Sequence, residues 1–200
     1  DIENYPLYLI CGQTLWGFFN ESTNMAMYSV LQNGSLIKKV YIPKFIFPMS
    51  RVFSSFVTMS FSLGAILIVM LVTRAPLHWQ LLLFPLPLIL LLLFAMGVSM
   101  VLSSLSVYFR DVTHLYSVVT LAWMYVTPVF YPVSALPDEV AWVLKLNPMY
   151  YYLDNFRQLV LYGSLPTAKS WCICLLCSGV ALAVGLAVFR KLQRNFILYL

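Results

Sequence analysis

The sequence predicts an all-α polytopic membrane protein, and three observations carry that prediction. Hydrophobic residues make up 62% of the 200-residue chain and charged residues only 10%, against about 45–50% and about 25% in soluble domains. The mean hydropathy is +0.86, and a water-soluble globule of this size could not bury so much apolar surface. The 12 basic and 7 acidic residues are clustered, leaving uncharged stretches of 20 to 31 residues between them. About 20 apolar residues suffice for a helix to cross the hydrocarbon core. These proportions exclude intrinsic disorder, a nucleic-acid module and a secreted disulfide scaffold as readings of the whole chain. The net charge of +5 is therefore read by position and not as a nucleic-acid footprint.

Five spans are expected in one membrane domain over residues 1–200, at about 5–31, 52–73, 80–107, 115–132 and 170–189. The first is apolar over Tyr5–Phe19 and again over Met25–Leu31, with a polar girdle at Asn20–Asn24 between. Polar groups at that depth are costly and face a cavity or another helix. Glu21 and Asn24 are accordingly assigned to a transport path, with a helix–helix hydrogen-bond cluster as the plainer alternative. The second and third spans are the uncharged runs before Arg74 and Arg110. The fourth begins after the short turn Arg110-Asp111, where Asp111 is expected to cap the helix through its free N–H groups. Pro128, Pro132 and Pro137 break its far end.

Between the fourth and fifth spans lie two short helical candidates, Asp138–Leu146 and Met149–Leu161, divided by Asn147-Pro148 and stopped by Gly163. In the second, Met149, Tyr152, Phe156, Leu159 and Val160 share one face. Asp154, Asn155, Arg157 and Gln158 lie mostly on the other, where Asp154 and Arg157 stand three apart and can pair. The pattern is that of helices lying at an interface without crossing. Aromatic residues crowd this region, among them Trp123, Tyr125, Phe130, Tyr131, Trp142, Tyr150, Tyr151, Tyr152 and Phe156. An interfacial belt explains some of them, and a track for sugar rings is the alternative. In the last span Gly179, Ala183 and Ala187 recur at four-residue spacing, as Ala95, Ser99 and Ser103 do in the third. Such stripes serve internal packing or a subunit interface.

Lys and Arg in short loops set orientation. With the loop Gln32–Arg51 taken as cytoplasmic, eight basic residues fall inside and four outside. The chain's N-terminus is then outside and its C-terminus cytoplasmic. An odd number of spans beginning outside is awkward, and the chain opens at Asp1 without an initiator Met. A truncated chain, lacking at least one earlier span, is expected.

No catalytic constellation is legible. Cys172, Cys174 and Cys177 have the wrong spacing for a CxxC pair set and sit in an apolar span, so packing is expected and no metal. His78 and His114 fall at opposite membrane faces. The sequence lacks GxSxG, HExxH and GxxxxGK[ST]. Asp138-Glu139 is the one acid pair an enzyme reading has to work with, and it looks like the start of a helix.

Taken together these segments resemble the permease subunit of bacterial type-2 ABC polysaccharide exporters, the family that translocates O-antigen, capsule and teichoic acid. The resemblance rests on Leu36–Lys44 in the first inner loop, Tyr108-Phe109-Arg110-Asp111-Val112 in the second and Thr127-Pro128-Val129-Phe130-Tyr131. It continues through Leu146-Asn147-Pro148-Met149-Tyr150, Phe156-Arg157 and the tail Asn195–Leu200, nearly end to end. It implies an interface helix and one span before those read here, a homodimer, and two cytoplasmic ABC ATPase subunits. On that basis Asn33, Lys38, Lys39, Tyr41, Pro43, Lys44, Arg110 and Asp111 form the ATPase-coupling surface. Trp123, Tyr125, Pro128, Phe130, Tyr131, Asn147, Pro148, Tyr150, Phe156 and Arg157 join Glu21 and Asn24 along the path and its outer gate.

The resulting expectation is a bacterial plasma (inner) membrane, multi-pass permease that moves lipid-linked polysaccharide outward, with membrane lipid around it and no nucleic-acid partner. No enzyme activity and no cofactor are expected on this chain, ATP and magnesium belonging to the ATPase subunit. The alternatives are a type-2 exporter of a drug or small lipid, and an intramembrane glycosyl- or acyltransferase.

Overall fold

A computed structural model describes residues 4–40, 42–73, 78–133 and 138–199. Its elements are α1 (Tyr5–Gln32), α2 (Gly34–Lys39), α3 (Ile46–Val72), α4 (Pro85–Tyr108), α5 (Val112–Val126), α6 (Asp138–Leu146), α7 (Pro148–Val160), α8 (Ala168–Leu192) and α9 (Phe196–Tyr199). A 3-10 turn, Trp79–Leu83, leads into α4. The protein is all-α and polytopic. Ile46–Val72, Trp79–Tyr108 and Ala168–Asn195 are each long and apolar enough to cross a membrane. α1 has 28 residues, about 42 Å at 1.5 Å per residue, and it carries the polar girdle.

α1 and α4 form the centre of the bundle. α4 packs most extensively against α8, while α1 packs against α3 and α4. The α4–α8 contact is close because Gly97 meets the Ala181 backbone and Gly185 meets that of Gly97, leaving no room for a Cβ at either glycine. Small residues at a helix contact allow this approach. Ala95, Ser99 and Ser103 are buried on α4 as their spacing predicts, whereas Gly179, Ala183 and Ala187 lie on the exposed side of α8.

Hydrogen bonds tie the ends of the bundle in two groups. At one end Asn4 Nδ2 donates to Thr73 Oγ1 at 2.9 Å, joining the start of α1 to the end of α3. At the other, Tyr108 Oη donates to the Leu192 carbonyl at 2.9 Å. Lys44 Nζ donates to the Gln193 carbonyl at 2.7 Å. This second end carries most of the basic residues; the first carries α6 and α7.

Two boundaries differ from expectation. The fourth span was expected over 115–132, but α5 stops at Val126 and has 15 residues, about 22 Å of helix. Thr127 is extended (φ −92°, ψ 130°), because the ring of Pro128 disfavours the helical region for the residue before it. Asp111 does not cap α5 through its side chain: its own backbone is helical (φ −70°, ψ −17°), where a capping residue is normally extended. Thr113 Oγ1 bonds the Arg110 carbonyl instead, at 2.8 Å.

Candidate functional site

The end of α5 creates a problem that other segments solve. Once the helix stops at Thr127, the carbonyls of Pro128, Val129, Phe130 and Tyr131 have no helical partner, and polar backbone at membrane depth has to be satisfied within the protein. Arg157 of α7 supplies Nη1 to Pro128 O at 2.6 Å and Nη2 to Val129 O at 2.9 Å. Two tyrosines of α1 supply the rest. Tyr8 Oη donates to Tyr131 O at 2.9 Å, with Pro128 O at 3.3 Å, and Tyr5 Oη donates to Phe130 O at 3.0 Å.

Arg157 is only 4% exposed. Its Nη2 also reaches the Tyr8 carbonyl at 3.2 Å, and its guanidinium carbon lies 3.5 Å from the centroid of the Tyr8 ring. Gly12 makes this possible, since a Cβ there would collide with the guanidinium and come within 3.0 Å of Val129 O. Burial lowers the pKa of Arg157, the mark of a charge taken from water, yet among the described residues no carboxylate is a hydrogen-bond partner. The expected Asp154–Arg157 pairing is therefore not what forms. Arg157 turns inward to the carbonyls, and Asp154 Oδ2 accepts from Gln158 Nε2 at 2.7 Å.

The expected polar face of α7 is correspondingly not a solvated one. Asn155 is fully buried and bonds Cys174 Sγ at 3.3 Å and Ser170. The apolar face is buried as predicted, with Met149, Tyr152, Phe156, Leu159 and Val160 all in the core. Gly163 takes the left-handed conformation (φ 57°), and Ser164 N bonds Gln158 O at 2.9 Å across it, the ending that glycine favours.

Asn147 joins the end of α5 to the start of α7. It is extended before Pro148 and caps α7 by accepting from Met149 N at 3.0 Å. The same Oδ1 accepts from Trp123 Nε1 at 2.8 Å, and Nδ2 donates to Thr127 Oγ1 at 2.9 Å. Trp123 also stands edge-on to Phe19 and Trp16, with centroids 5.2 Å and 6.1 Å away. Trp123 and Phe156 thus serve packing, whereas Tyr125, Phe130 and Trp142 remain exposed. Sequence reasoning missed Tyr5, Tyr8, Gly12 and Thr127. The signal for the tyrosines was their place at the start of a span, opposite a proline-broken end.

The polar girdle divides around α1. Glu21 lines a groove of about 310 Å³ between α1 and α3, with Gln13, Thr14, Thr58 and Ser62. Asn20 and Asn24 bond each other at 2.8 Å and face a groove of about 210 Å³ toward Ser117 and Thr120 of α5. Thr23 accepts from Tyr116 at 2.8 Å. Thr23 thus makes a helix–helix hydrogen bond, whereas Glu21, Asn20 and Asn24 line grooves.

At the basic end α2 presents Lys38 and Lys39 outward and buries Ile37 against Val30, Met100, Val107, Phe189 and Phe196. Lys44 sits 5.7 Å from the centroid of Phe196, and partial burial lowers its pKa. Pro43, Arg110 and Asp111 are exposed and Asn33 is half-buried. Tyr41 lies outside the described residues.

The family model for ABC-2 type transporters matches residues 2–161. The chain belongs to the ABC-2 type transporter family. It is 29% identical over 199 residues to the O-antigen export system permease protein RfbA of Klebsiella pneumoniae, covering 98% of this chain and 75% of that protein. Identity to the RfbA protein of Myxococcus xanthus is 27% over 198 residues, covering 98% and 76%. A shorter match, 27% over 107 residues, joins this ABC-2 chain to the capsule polysaccharide export inner-membrane protein CtrC of Neisseria meningitidis, covering 54% and 40%. As a transport permease the ABC-2 chain is not an enzyme. The family match includes the α1 tyrosines, the broken end of α5 and all of α7, so the carbonyl-bridged cluster lies wholly within the matched region.

Proposed function

We propose that the chain is the membrane-spanning subunit of an ATP-driven exporter that moves a lipid-linked polysaccharide, such as O-antigen or capsule, outward across the bacterial inner membrane. The observation that carries this reading is its likeness, over 98% of its length, to permeases named for O-antigen export. The basic end faces the cytoplasm, in keeping with the positive-inside bias. There α2 and the turn at Arg110-Asp111 engage a separate ATPase subunit, which holds the ATP and magnesium.

Two copies form the working unit. α5 offers Leu115, Val118 and Tyr125, all exposed, to the second copy, and the path runs beside α1, past Asn24 and Glu21. The far end is the outer gate. Its closed state is the set of carbonyl bonds made by Arg157, Tyr5 and Tyr8, and opening requires α7 to part from the segment after α5. ATP hydrolysis on the partner moves α2, and the rigid helices α1 and α8 transmit that motion to the gate.

Co-purification with an ABC ATPase subunit, and restoration of surface polysaccharide in a strain lacking the permease, test the reading. If the chain restored export of a drug or small lipid but not of polysaccharide, the substrate assignment would fall.

A further inference from the structure

Beside Arg157, α1, the segment after α5 and α7 with the residues that follow it border a pocket of about 240 Å³. Tyr8, Tyr150, Asp154, Arg157 and Tyr162 line it, with Pro128, Pro132 and Val133 completing the wall. It lies within one protomer, apart from both grooves along α1. Three features make it a built site. Arg157, nine-tenths buried and more, forms the inner wall, its guanidinium held in place by the Pro128 and Val129 carbonyls. Asp154 uses Oδ2 for Gln158, leaving Oδ1 as an acceptor. Tyr150 and Tyr162 contribute ring faces and hydroxyls that bond nothing else among the described residues.

Acceptor carboxylate, phenol hydroxyls and aromatic faces around a small volume match one class of ligand. A pyranose ring presents vicinal hydroxyls, which donate to a carboxylate and exchange bonds with phenols, and an apolar C–H face, which lies on an aromatic ring. The volume admits one ring and not two. The charges of Asp154 and Arg157 offset each other across the pocket, which favours a neutral sugar over an acidic one. We infer that this pocket is a binding subsite for a single neutral pyranose unit at the gate, with Asp154 as its hydroxyl acceptor and Tyr150 as its platform.

The inference deepens the polysaccharide reading and rests on it only for physiological meaning, because binding of a free sugar is measurable without export. The purified chain in lipid nanodiscs is titrated with methyl glucoside, methyl mannoside, methyl galactoside and, separately, glucuronate, with saturation-transfer NMR as the readout. At least one neutral glycoside is expected to bind with a Kd on the order of 1 mM, the range of weak ligands. Asp154→Asn and Tyr150→Phe should each weaken it roughly tenfold without lowering the melting temperature. Cys172→Ser, on the exposed side of α8, should leave binding alone. Absence of binding by all three glycosides, tighter binding of glucuronate, or binding indifferent to both pocket variants overturns the proposal. The exporter reading is judged separately by restored surface polysaccharide: export without glycoside binding removes the pocket and keeps the exporter.

Discussion

Arg157 meets Tyr8 twice, stacking its guanidinium 3.5 Å from the ring centroid and donating to the Tyr8 carbonyl at 3.2 Å. The same side chain holds Pro128 O and Val129 O. One residue therefore fastens α1, α7 and the segment after α5, three pieces far apart in sequence. A planar fork with five donors suits several carbonyls at once, which a lysine ammonium does not. Hydrogen bonds to a charged group contribute about 1.5–3 kcal/mol each, so α1, α7 and the segment after α5 separate only when other interactions offset the loss of all three together.

Arg157→Ala should lower the stability of the detergent-solubilised chain by about 3 kcal/mol or more, the scale of two such bonds lost with carbonyls left unpaired. Arg157→Lys should recover only a minor part. Thermal unfolding followed by fluorescence checks both, and a wild-type melting temperature for Arg157→Ala would remove the latch.

Gly12 should be intolerant of a side chain for a reason that a double mutant isolates. Gly12→Ala places a Cβ against the guanidinium and Val129 O and should destabilise by about 1–3 kcal/mol, as overpacking does. Most of that cost should vanish in the Arg157→Ala background, because the nearer clash partner is gone and only the contact with Val129 O remains. Additive costs would show that Gly12 acts elsewhere.

Asn147 bonds Trp123, Thr127 and Met149 N. Asn147→Ala should cost at least the roughly 0.5–2 kcal/mol of a lost helix cap. Asn147→Asp keeps the acceptor for Trp123 and Met149 and loses only the donor to Thr127, so it should be milder. Equal melting temperatures for the two variants would argue against this division.

Much of this was legible in the sequence, and the misses have physical causes. Charge-free runs locate α3, α4 and α8 because a bilayer admits little else. The Asn147-Pro148 boundary of α7 was legible because proline constrains its neighbour locally. The end of α5 was placed six residues late, at 132 instead of Val126, since hydropathy continues through Pro128 although the helix does not. Arg157 was assigned to Asp154 by helix spacing. That rule describes solvated helix surfaces, whereas Arg157 and Asn155 of α7 are buried and the nearest unsatisfied acceptors are main-chain carbonyls of the segment after α5. Tyr8 and Gly12 matter only through contacts with residues more than a hundred positions away, which no local pattern encodes.

At the basic end the expected effects separate by residue. Lys38→Glu with Lys39→Glu should abolish co-purification with the ATPase subunit and surface polysaccharide while leaving melting unchanged, since both side chains are exposed. Lys44→Ala should lower the melting temperature instead, because it breaks the bond to Gln193 O. Intact complex formation and export in the double charge reversal would rule out α2 as the coupling element.

The pocket beside Arg157 should also respond to pH in a direction that the Asp154 environment sets. Burial raises the Asp154 carboxyl above its ordinary range, the Gln158 hydrogen bond and the Arg157 charge only partly offsetting it. Around it stand the guanidinium of Arg157 and the phenols of Tyr8, Tyr150 and Tyr162, so Asp154 is the one carboxylate among the described lining residues. The carboxylate is the hydroxyl-accepting form. Glycoside binding should therefore be full above the folded-state pKa and fall as pH drops through it, with a midpoint above the usual value of about 3.9. Stability of the free chain should move the other way. The folded state holds the Asp154 proton more tightly than the unfolded state, so acidification through this range favours folding at this group. NMR titrations from about pH 7 to about pH 4 should show binding fading in the natural chain and a flat profile in Asp154→Asn. An identical pH profile in the two proteins would mean that another group accepts the sugar hydroxyls.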